Sequence, residues 1–263
     1  MLALLAEGRP LTFETISAAF TPFVPLLARL PDTPQDPQWH AEGSVAAHSA
    51  LVVAHAHALA DEAGLGGEDR AALLLAAALH DLGKARTTRE EPDETGALRI
   101  RSRQHARRGR DELAFRLLDA GLRRGLLLKV LALVAEHHSL HRALDGDWSR
   151  GVPALARRAP LPLLTRLARA DARGRVVLSG DAARGKDTAD LLELAAQDLG
   201  VWAGATPTPP SGPRWRRCCP GPARTCRRWP QGAAYRTGRR AAFTPPTRRR
   251  PACRRPPGTA FLA

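Results

Sequence analysis

The stretch AALLLAAALHDLGK, residues 71–84, decides the fold. Its apolar residues leave no polar face, so the pattern predicts a helix buried on all sides rather than a surface helix. Acidic residues directly before it suit the positive end of a helix dipole, and Gly83 predicts its end. His80 and Asp81 therefore lie at the end of a central helix, where an unpaired buried carboxylate is costly.

Helical patterns also occur on both sides of this segment. Ser44 is a good N-cap for an Ala-, Val- and Leu-rich helix that runs to about Ala63 and carries His48. The polar stretch from residue 84 to 103 shows no convincing pair of strands. Helical periodicity resumes downstream near residues 105–120, 122–138, 161–173 and 187–199. The sequence predicts an all-α fold, a helical bundle followed by a disordered C-terminal tail.

Three parts of the chain differ in composition. Residues 1–38 have helical patches and end in the turn-rich PDTPQDP, which predicts an N-terminal helical arm. Residues 39–200 carry the regular helical patterns and form the predicted catalytic domain. Residues 201–263 form a Pro/Arg-rich tail, with twelve prolines and almost no aliphatic periodicity from residue 206 onward. Such a segment cannot bury a core.

The net charge of +14 belongs to the tail. Residues 206–263 hold fourteen arginines and no acidic residue, which leaves 26 basic and 26 acidic side chains in the body. The tail could make nonspecific nucleic-acid contacts through its arginines. No apolar stretch is long enough for a membrane helix, so we expect a cytoplasmic protein without membrane contact.

The abrupt start of the tail has a second explanation. All four cysteines lie in it, without a CxxC pair or a histidine, so the sequence predicts neither a disulfide in the body nor a zinc module in the tail. The same onset resembles translation in a shifted reading frame, which would replace a downstream kinase domain. The segment VVLSGDAARGKDT, residues 176–188, resembles a P-loop, but Asp187 replaces its Ser or Thr, so an ordinary loop is the preferred interpretation.

Histidines and aspartates form an ordered series in the body. Imidazole and carboxylate ligands suit Mn, Fe, Co, Ni, Zn or Mg, and helix bundles build such sites from neighbouring helices. We therefore expect one or two divalent metal ions per chain. The candidate ligands are His48, His80, Asp81, His105, His137, His138 and Asp171.

Simpler interpretations exist for each histidine. An isolated His80-Asp81 pair could merely cap its helix and bond the following turn. His105 opens an Arg-rich segment and could be exposed. His55 and His57 are expected to be structural or solvated, and the role of His40 stays open. His141, one turn after His138, is a candidate neighbour of the substrate.

The order of these residues resembles the HD-domain phosphohydrolases, whose pattern is H, then HD, then D, commonly with HDxGK. The resemblance covers about residues 39–200. It implies that His48, His80, Asp81 and Asp171 hold a first metal, with Asp81 bridging to a second at His105, His137 and His138. It also implies that Lys84 contacts phosphate, and Arg173 or Arg175 could clamp phosphate oxygens. Ser44 departs from the pattern, because an acidic residue is expected there.

Two shorter likenesses concern the substrate. The run TPQDPQWHAEGSVAAH, residues 33–48, resembles the start of HD domains in bacterial RNA-end-healing proteins, in which a polynucleotide kinase follows. The segments EHHSLHR and RADARGR resemble the HD domain of bacterial CCA-adding tRNA nucleotidyltransferases. Both imply roles in RNA repair or tRNA processing, although no nucleotidyltransferase domain precedes residue 39.

The expected activity is hydrolysis of phosphomonoesters or 2′,3′-cyclic phosphodiesters by metal-activated water, with Asp81 and Lys84 as catalytic residues. RNA ends or phosphorylated nucleotides are the expected substrates. Two alternatives stay open at this point. The protein could be a nucleotide phosphohydrolase unrelated to RNA, or a non-catalytic module that binds RNA through its tail.

Overall fold

The computed structural model describes residues 1–177 and 184–203. Residues 204–263 of the predicted Pro/Arg-rich tail and residues 178–183 of the P-loop-like segment lie outside the described residues. The described helices are α1 (Leu2–Ala6), α2 (Phe13–Phe20), α3 (Val45–Glu62), α4 (Gly67–Leu79), α5 (Lys84–Thr87), α6 (His105–Asp119), α7 (Arg124–Glu136), α8 (Ser139–Leu144), α9 (Trp148–Ala156), α10 (Leu161–Gly174) and α11 (Arg184–Asp198), with a 3-10 turn at Pro25–Arg29.

Helix α4 is the centre of the bundle, as its sequence predicts. Every residue from Arg70 to Leu79 is buried. The helix packs against α1, α3, α7 and α10, which explains why it needs no polar face. The predicted all-α class is confirmed, and the end of α4 brings His80 and Asp81 into the middle of the molecule.

Helix α3 begins where the sequence predicts. The Ser44 hydroxyl accepts a hydrogen bond from the backbone N–H of Ala47 at 3.2 Å, which caps the helix. Helix α10 packs closely against α3 at Gly174, where a Cβ atom would lie 2.7 Å from a methyl of Val52. This small residue lets the two helices approach, and the approach brings Asp171 of α10 to His48 of α3.

A β-hairpin lies in the polar stretch that the sequence analysis left without strands, and that prediction is wrong. Strands β1 (Thr88–Pro92) and β2 (Leu98–Ser102) pair antiparallel, from Thr88 opposite Ser102 to Pro92 opposite Leu98. Residues of both strands are exposed or half-buried, and β1 has no apolar alternation. Strand β2 does alternate, with Leu98 and Ile100 separated by arginines, but this pattern is only five residues long. The Asp93 carboxylate accepts hydrogen bonds from the N–H groups of Thr95 and Ala97 and closes the turn.

The predicted N-terminal arm packs into the same hydrophobic core as the helices that follow it. Leu5, Ile16 and Phe20 are buried there at 0–4% exposure. Helices α8 and α9 were not predicted, because they are short and α9 contains Pro153. None of the helices in the described ranges combines the length and apolarity needed to cross a bilayer.

Candidate metal centre

Asp81 lies at the centre of a cluster of buried polar side chains. Helix α4 ends at Leu79, His80 caps it, and the turn that follows places the Asp81 side chain in the interior at 3% exposure. Oδ2 of Asp81 lies 2.7 Å from Nζ of Lys84. The HDLGK segment therefore presents a carboxylate and an ammonium group to one point of the bundle.

Three histidine rings around Asp81 are held in the same way. Nδ1 of each ring lies 2.7–2.9 Å from the backbone carbonyl oxygen three residues earlier, for His80, His105 and His137. A carbonyl oxygen only accepts hydrogen bonds, so the proton resides on Nδ1 and Nε2 keeps its lone pair. Metal-binding histidines are commonly fixed by this kind of contact.

These three lone pairs face the Asp81 carboxylate. Nε2 of His80 lies 3.3 Å from Oδ2, and Nε2 of His105 and His137 lie 3.1 and 3.8 Å from Oδ1. Nε2 of His80 and Oδ1 of Asp81 are buried and have no hydrogen-bond partner among the residues that the structure describes. Lone pairs that face one another in the interior repel unless a cation lies between them, so the residues present fit a bound divalent metal ion.

His48 joins Asp81 to Asp171. Its Nε2 lies 3.0 Å from Oδ1 of Asp171 and 3.9 Å from Oδ2 of Asp81. Burial disfavours a charged imidazole, but hydrogen bonds with Asp171 and Glu42 and the charges of both aspartates raise the pKa of His48 to about 9. The two aspartates thus favour positive charge beside Nε2 of His48, and the predicted metal ion would be such a charge.

The pKa shifts of Asp81, Asp171 and His137 favour the protonation states that bind metal. Burial alone would raise the pKa of Asp81 and of Asp171, but Lys84 and Arg175 respectively, with nearby histidines, hold each pKa well below its ordinary value. Burial and the positive charge of neighbouring histidines hold the pKa of His137 well below its ordinary value. Ionised carboxylates and neutral imidazoles are the forms that bind divalent metals.

Two groups of ligand atoms share Asp81. His48, His80 and Asp81 form one group, and Asp81, His105, His137 and His138 form the other, with the ligand atoms of each within 4.8 Å of one another. Nε2 of the more exposed His138 lies 3.1 Å from Nε2 of His105. The structure therefore brings the seven predicted ligands together, six of them in the two groups that share Asp81, with Asp171 in contact with His48.

Glu42 is a site residue that the sequence analysis missed. Its Oε1 lies 2.9 Å from Nδ1 of His48 and 2.7 Å from Nδ1 of His40. The backbone N–H of Val176 donates to its other oxygen at 3.0 Å. The expected acidic residue at position 44 is thus supplied two positions earlier in the chain, and the departure at Ser44 was the signal that could have found it. His40, whose role was open, lies beside this carboxylate.

The predicted substrate-binding residues divide into two pairs. Lys84 is buried between Asp81 and Gln35, and its Nζ donates a hydrogen bond to Oε1 of Gln35 at 2.6 Å. A terminal nitrogen of Arg175 lies 2.6 Å from Oδ2 of Asp171. Both Lys84 and Arg175 line the cavity over the cluster.

Arg173 and His141 are not brought to that cavity. Arg173 is exposed on α10 and does not line it. Nδ1 of His141 lies 3.3 Å from the hydroxyl of Thr188, on α11. His57 contacts the carbonyl oxygen of Leu11 and the side chain of Arg70, which matches its expected structural role. His55 does not line the cavity either.

An open cavity of about 610 Å³ gives access to the cluster. Asp81, His105, His138 and Asp171 lie in its wall. The loop before α3 contributes Trp39, among others, and the unpredicted hairpin contributes Arg99, Ile100, Arg101 and Ser102. Nε of Arg99 donates to Asp36 at 2.8 Å and so joins the hairpin to that loop. The hairpin therefore builds part of the wall of the candidate site.

Gly83 positions the second group of ligands. A Cβ atom on Gly83 would lie 2.0 Å from the carbonyl oxygen of His105 and 2.7 Å from the backbone nitrogen of Gly109. Only glycine allows the start of α6 to pack against the HDLGK turn this closely. Gly83 therefore has a structural role, because its lack of a side chain lets His105 approach Asp81.

Residues 45–175 match the family described as the HD domain. The match supports placing the chain in the HD-domain superfamily, whose members are generally metal-dependent hydrolases. The curated proteins and the solved structures gave no match. The matched range begins with α3 and ends just after α10, so it contains all seven ligand candidates.

Proposed function

We propose that this protein is a metal-dependent phosphohydrolase that cleaves phosphomonoesters or 2′,3′-cyclic phosphodiesters, at RNA ends or on nucleotides. The observation that carries the proposal is the convergence of histidine Nε2 lone pairs on a buried Asp81 carboxylate whose Oδ1 has no hydrogen-bond partner. The HD-domain match supports the same reaction class.

The residues suit two ions that share Asp81. His48, His80, Asp81 and Asp171 would hold the first, and Asp81, His105, His137 and His138 the second. Divalent ions held there acidify water at neutral pH and neutralise charge on a phosphoryl group. Mn, Fe, Co, Ni, Zn and Mg all remain candidates, because the donor set contains imidazole and carboxylate and no thiolate.

Two cationic side chains on the cavity wall would orient the phosphate. Two of the three N–H donors of Lys84 point to Asp81 and Gln35, which leaves one for a phosphate oxygen. Arg175 is bound through one terminal nitrogen to Asp171 and lines the same cavity. Each group is paired with an aspartate, so it can bind a non-bridging oxygen while holding a candidate ligand carboxylate in place.

Hydrolysis of bis(p-nitrophenyl) phosphate, 2′,3′-cyclic AMP and an RNA ending in a 3′-phosphate tests the proposal. The full-length chain is assayed with Mn²⁺, beside Asp81→Asn and the matched control Asp119→Asn, an exposed residue at the end of α6. We expect Asp81→Asn to lose more than about 100-fold in kcat/KM, since even outer-shell partners of metal ligands contribute 10–100-fold.

The outcomes separate the candidate functions. Equal turnover by Asp81→Asn and Asp119→Asn would refute metal-dependent hydrolysis at this site. Turnover of nucleotides without turnover of RNA ends would favour a nucleotide phosphohydrolase unrelated to RNA. No turnover of any substrate by wild type, with RNA still bound, would favour a non-catalytic binding module.

A further inference from the structure

A second cavity meets the first at the candidate metal centre. It has a volume of about 710 Å³ and shares Ser102, His105 and His138 with the first. The start of α6 and the junction of α7 with α8 form its walls. Because His105 and His138 belong to both cavities, a substrate whose phosphate lies at the metal centre can continue along this second cavity.

The second cavity is lined by cationic side chains. Arg107, Arg110 and Arg142 line it, and its one acidic side chain, Glu136, is already paired with Arg158 at 2.9 Å. Arg107 is exposed and has no hydrogen-bond or ion-pair partner among the described residues. In the described part of the chain, the one ion pair of Arg110 is with its neighbour Asp111, and an exposed pair of this kind contributes little to stability. These guanidinium groups are therefore available to an anionic ligand.

The positions of the arginines suit a chain of phosphates rather than a single one. Arg107 and Arg110 follow His105 on the same helix, and five residues of α-helix advance about 7.5 Å. A nucleotide with a single phosphate would place that phosphate at the metal centre. Guanidinium groups farther along the helix suit the additional phosphates of a longer substrate.

An aromatic side chain in the first cavity favours nucleic acid over other polyanions. Trp39 is 42% exposed and lines that cavity together with Arg101, which is also exposed and has no partner among the described residues. An exposed tryptophan offers a face on which a base can stack, and stacking contributes about 1–3 kcal/mol per base. Inorganic polyphosphate has no aromatic group that could stack on Trp39.

We propose that the second cavity binds the backbone of a single-stranded polynucleotide whose terminal phosphate lies at the metal centre. The proposal rests on the proposed function and deepens it, because it identifies the substrate as a chain of nucleotides. Arg107 and Arg110 bind its phosphates, and Trp39 stacks on a base near the reacting end.

The test compares Arg107→Ala/Arg110→Ala with Arg123→Ala/Arg124→Ala in the full-length chain. Both double variants remove two positive charges and leave the basic tail unchanged. Arg123 and Arg124 line neither cavity, so only Arg107→Ala/Arg110→Ala changes a cavity wall. The substrates are 3′-AMP and a six-nucleotide RNA ending in a 3′-phosphate. Fluorescence anisotropy with the same RNA measures binding without turnover.

We expect Arg107→Ala/Arg110→Ala to raise KM and Kd for the RNA about 10-fold, with kcat and the KM for 3′-AMP within 2-fold of wild type, since each lost contact removes about 0.7 kcal/mol or more. The slope of log Kd against log salt should fall by about 1.4, because each phosphate contact on a single strand contributes about 0.7. Arg123→Ala/Arg124→Ala should change these values less than 2-fold.

Three results would overturn the proposal. The first is an equal change in KM and Kd for the RNA in the two double variants. The second is an equal change in KM for RNA and for 3′-AMP in Arg107→Ala/Arg110→Ala. The third is inorganic polyphosphate that competes for binding as strongly as unlabelled RNA. If wild type turns over neither substrate, the proposed function fails, and the anisotropy series still decides whether Arg107 and Arg110 bind RNA.

Discussion

Glu42 shows how a residue outside the ligand set can control the site. Its carboxylate lies 2.9 Å from Nδ1 of His48, and a backbone N–H of Val176 holds it in place. Carboxylates that contact the far nitrogen of a metal-binding histidine fix the orientation of the ring and make the ligand more basic. His48 therefore depends on Glu42 for its alignment with Asp81 and Asp171.

The first prediction concerns Glu42→Gln. This substitution keeps the size of the side chain and removes its charge, so we expect the affinity for Mn²⁺ to fall about 10–100-fold. Isothermal titration calorimetry measures the change. Glu62→Gln, at the exposed end of α3, the helix that carries His48, is the matched control. The same Kd for both variants would mean that Glu42 does not support His48.

The candidate ligands could be selected from the sequence because they lie on or beside regular helices. His48 follows a recognisable N-cap, His80 and Asp81 follow an uninterrupted apolar run, and Asp171 lies on an amphipathic helix. Glu42 and Gln35 lie on the irregular loop before α3. The path of that loop depends on contacts with Lys84 and Val176 that are far away in sequence, and no local pattern encodes it.

At the scale of elements, a contact between two glycines places α6 against the HDLGK turn. The backbone nitrogen of Gly83 would lie 3.2 Å from a Cβ on Gly109, and a Cβ on Gly83 would overlap the carbonyl oxygen of His105. The close approach sets the distance between Asp81 and His105. The start of α6 therefore cannot move without changing the second ligand group.

Gly83→Ala tests this packing. The added methyl forces α6 away, so we expect a loss of about 1–3 kcal/mol in the free energy of unfolding and weaker binding at the group that contains His105. Gly125→Ala is the control, because its Cβ meets only the carboxylate end of Glu68 and alanine favours the helix. Denaturant unfolding that gives equal stabilities for the two variants would contradict the packing argument.

The hairpin is the element that the sequence did not reveal. Strand TREEP has no apolar face, and LRIRS has only Leu98 and Ile100 on one face, with Leu98 67% exposed, because the hairpin covers the cavity instead of contributing an apolar face to the core. A local signal was nevertheless present in DETG between them, since Asp93 closes the turn and Gly96 has a φ of 83°. The hairpin carries Arg99 and Arg101 into the cavity wall, so this omission concerned function as well as fold.

At the scale of the whole molecule, the N-terminal segment is part of the same hydrophobic core as the helices that carry the candidate site. Leu5, Phe13 and Ile16 are buried with the residues of α3 and α4 in one cluster. The boundary predicted at residue 38 marks a change in local pattern, and the core extends across it. Removing the segment would therefore expose a large apolar surface.

Ile16→Ala measures the contribution of this segment. Ile16 is fully buried, so we expect a loss of about 2–5 kcal/mol in the free energy of unfolding. Leu118→Ala, at a residue that is 53% exposed, should cost less than about 0.5 kcal/mol. Urea unfolding followed by circular dichroism gives both values. A cost for Ile16→Ala no larger than that for Leu118→Ala would indicate a detachable arm.

Metal binding at Asp81 is the central claim, and calorimetric titration of the EDTA-treated, full-length protein with Mn²⁺ tests it most directly. We expect wild type to bind one or two ions per chain saturably, Asp119→Asn to retain this binding and Asp81→Asn to lose it. No saturable binding by wild type, or the same binding by Asp81→Asn, would contradict it.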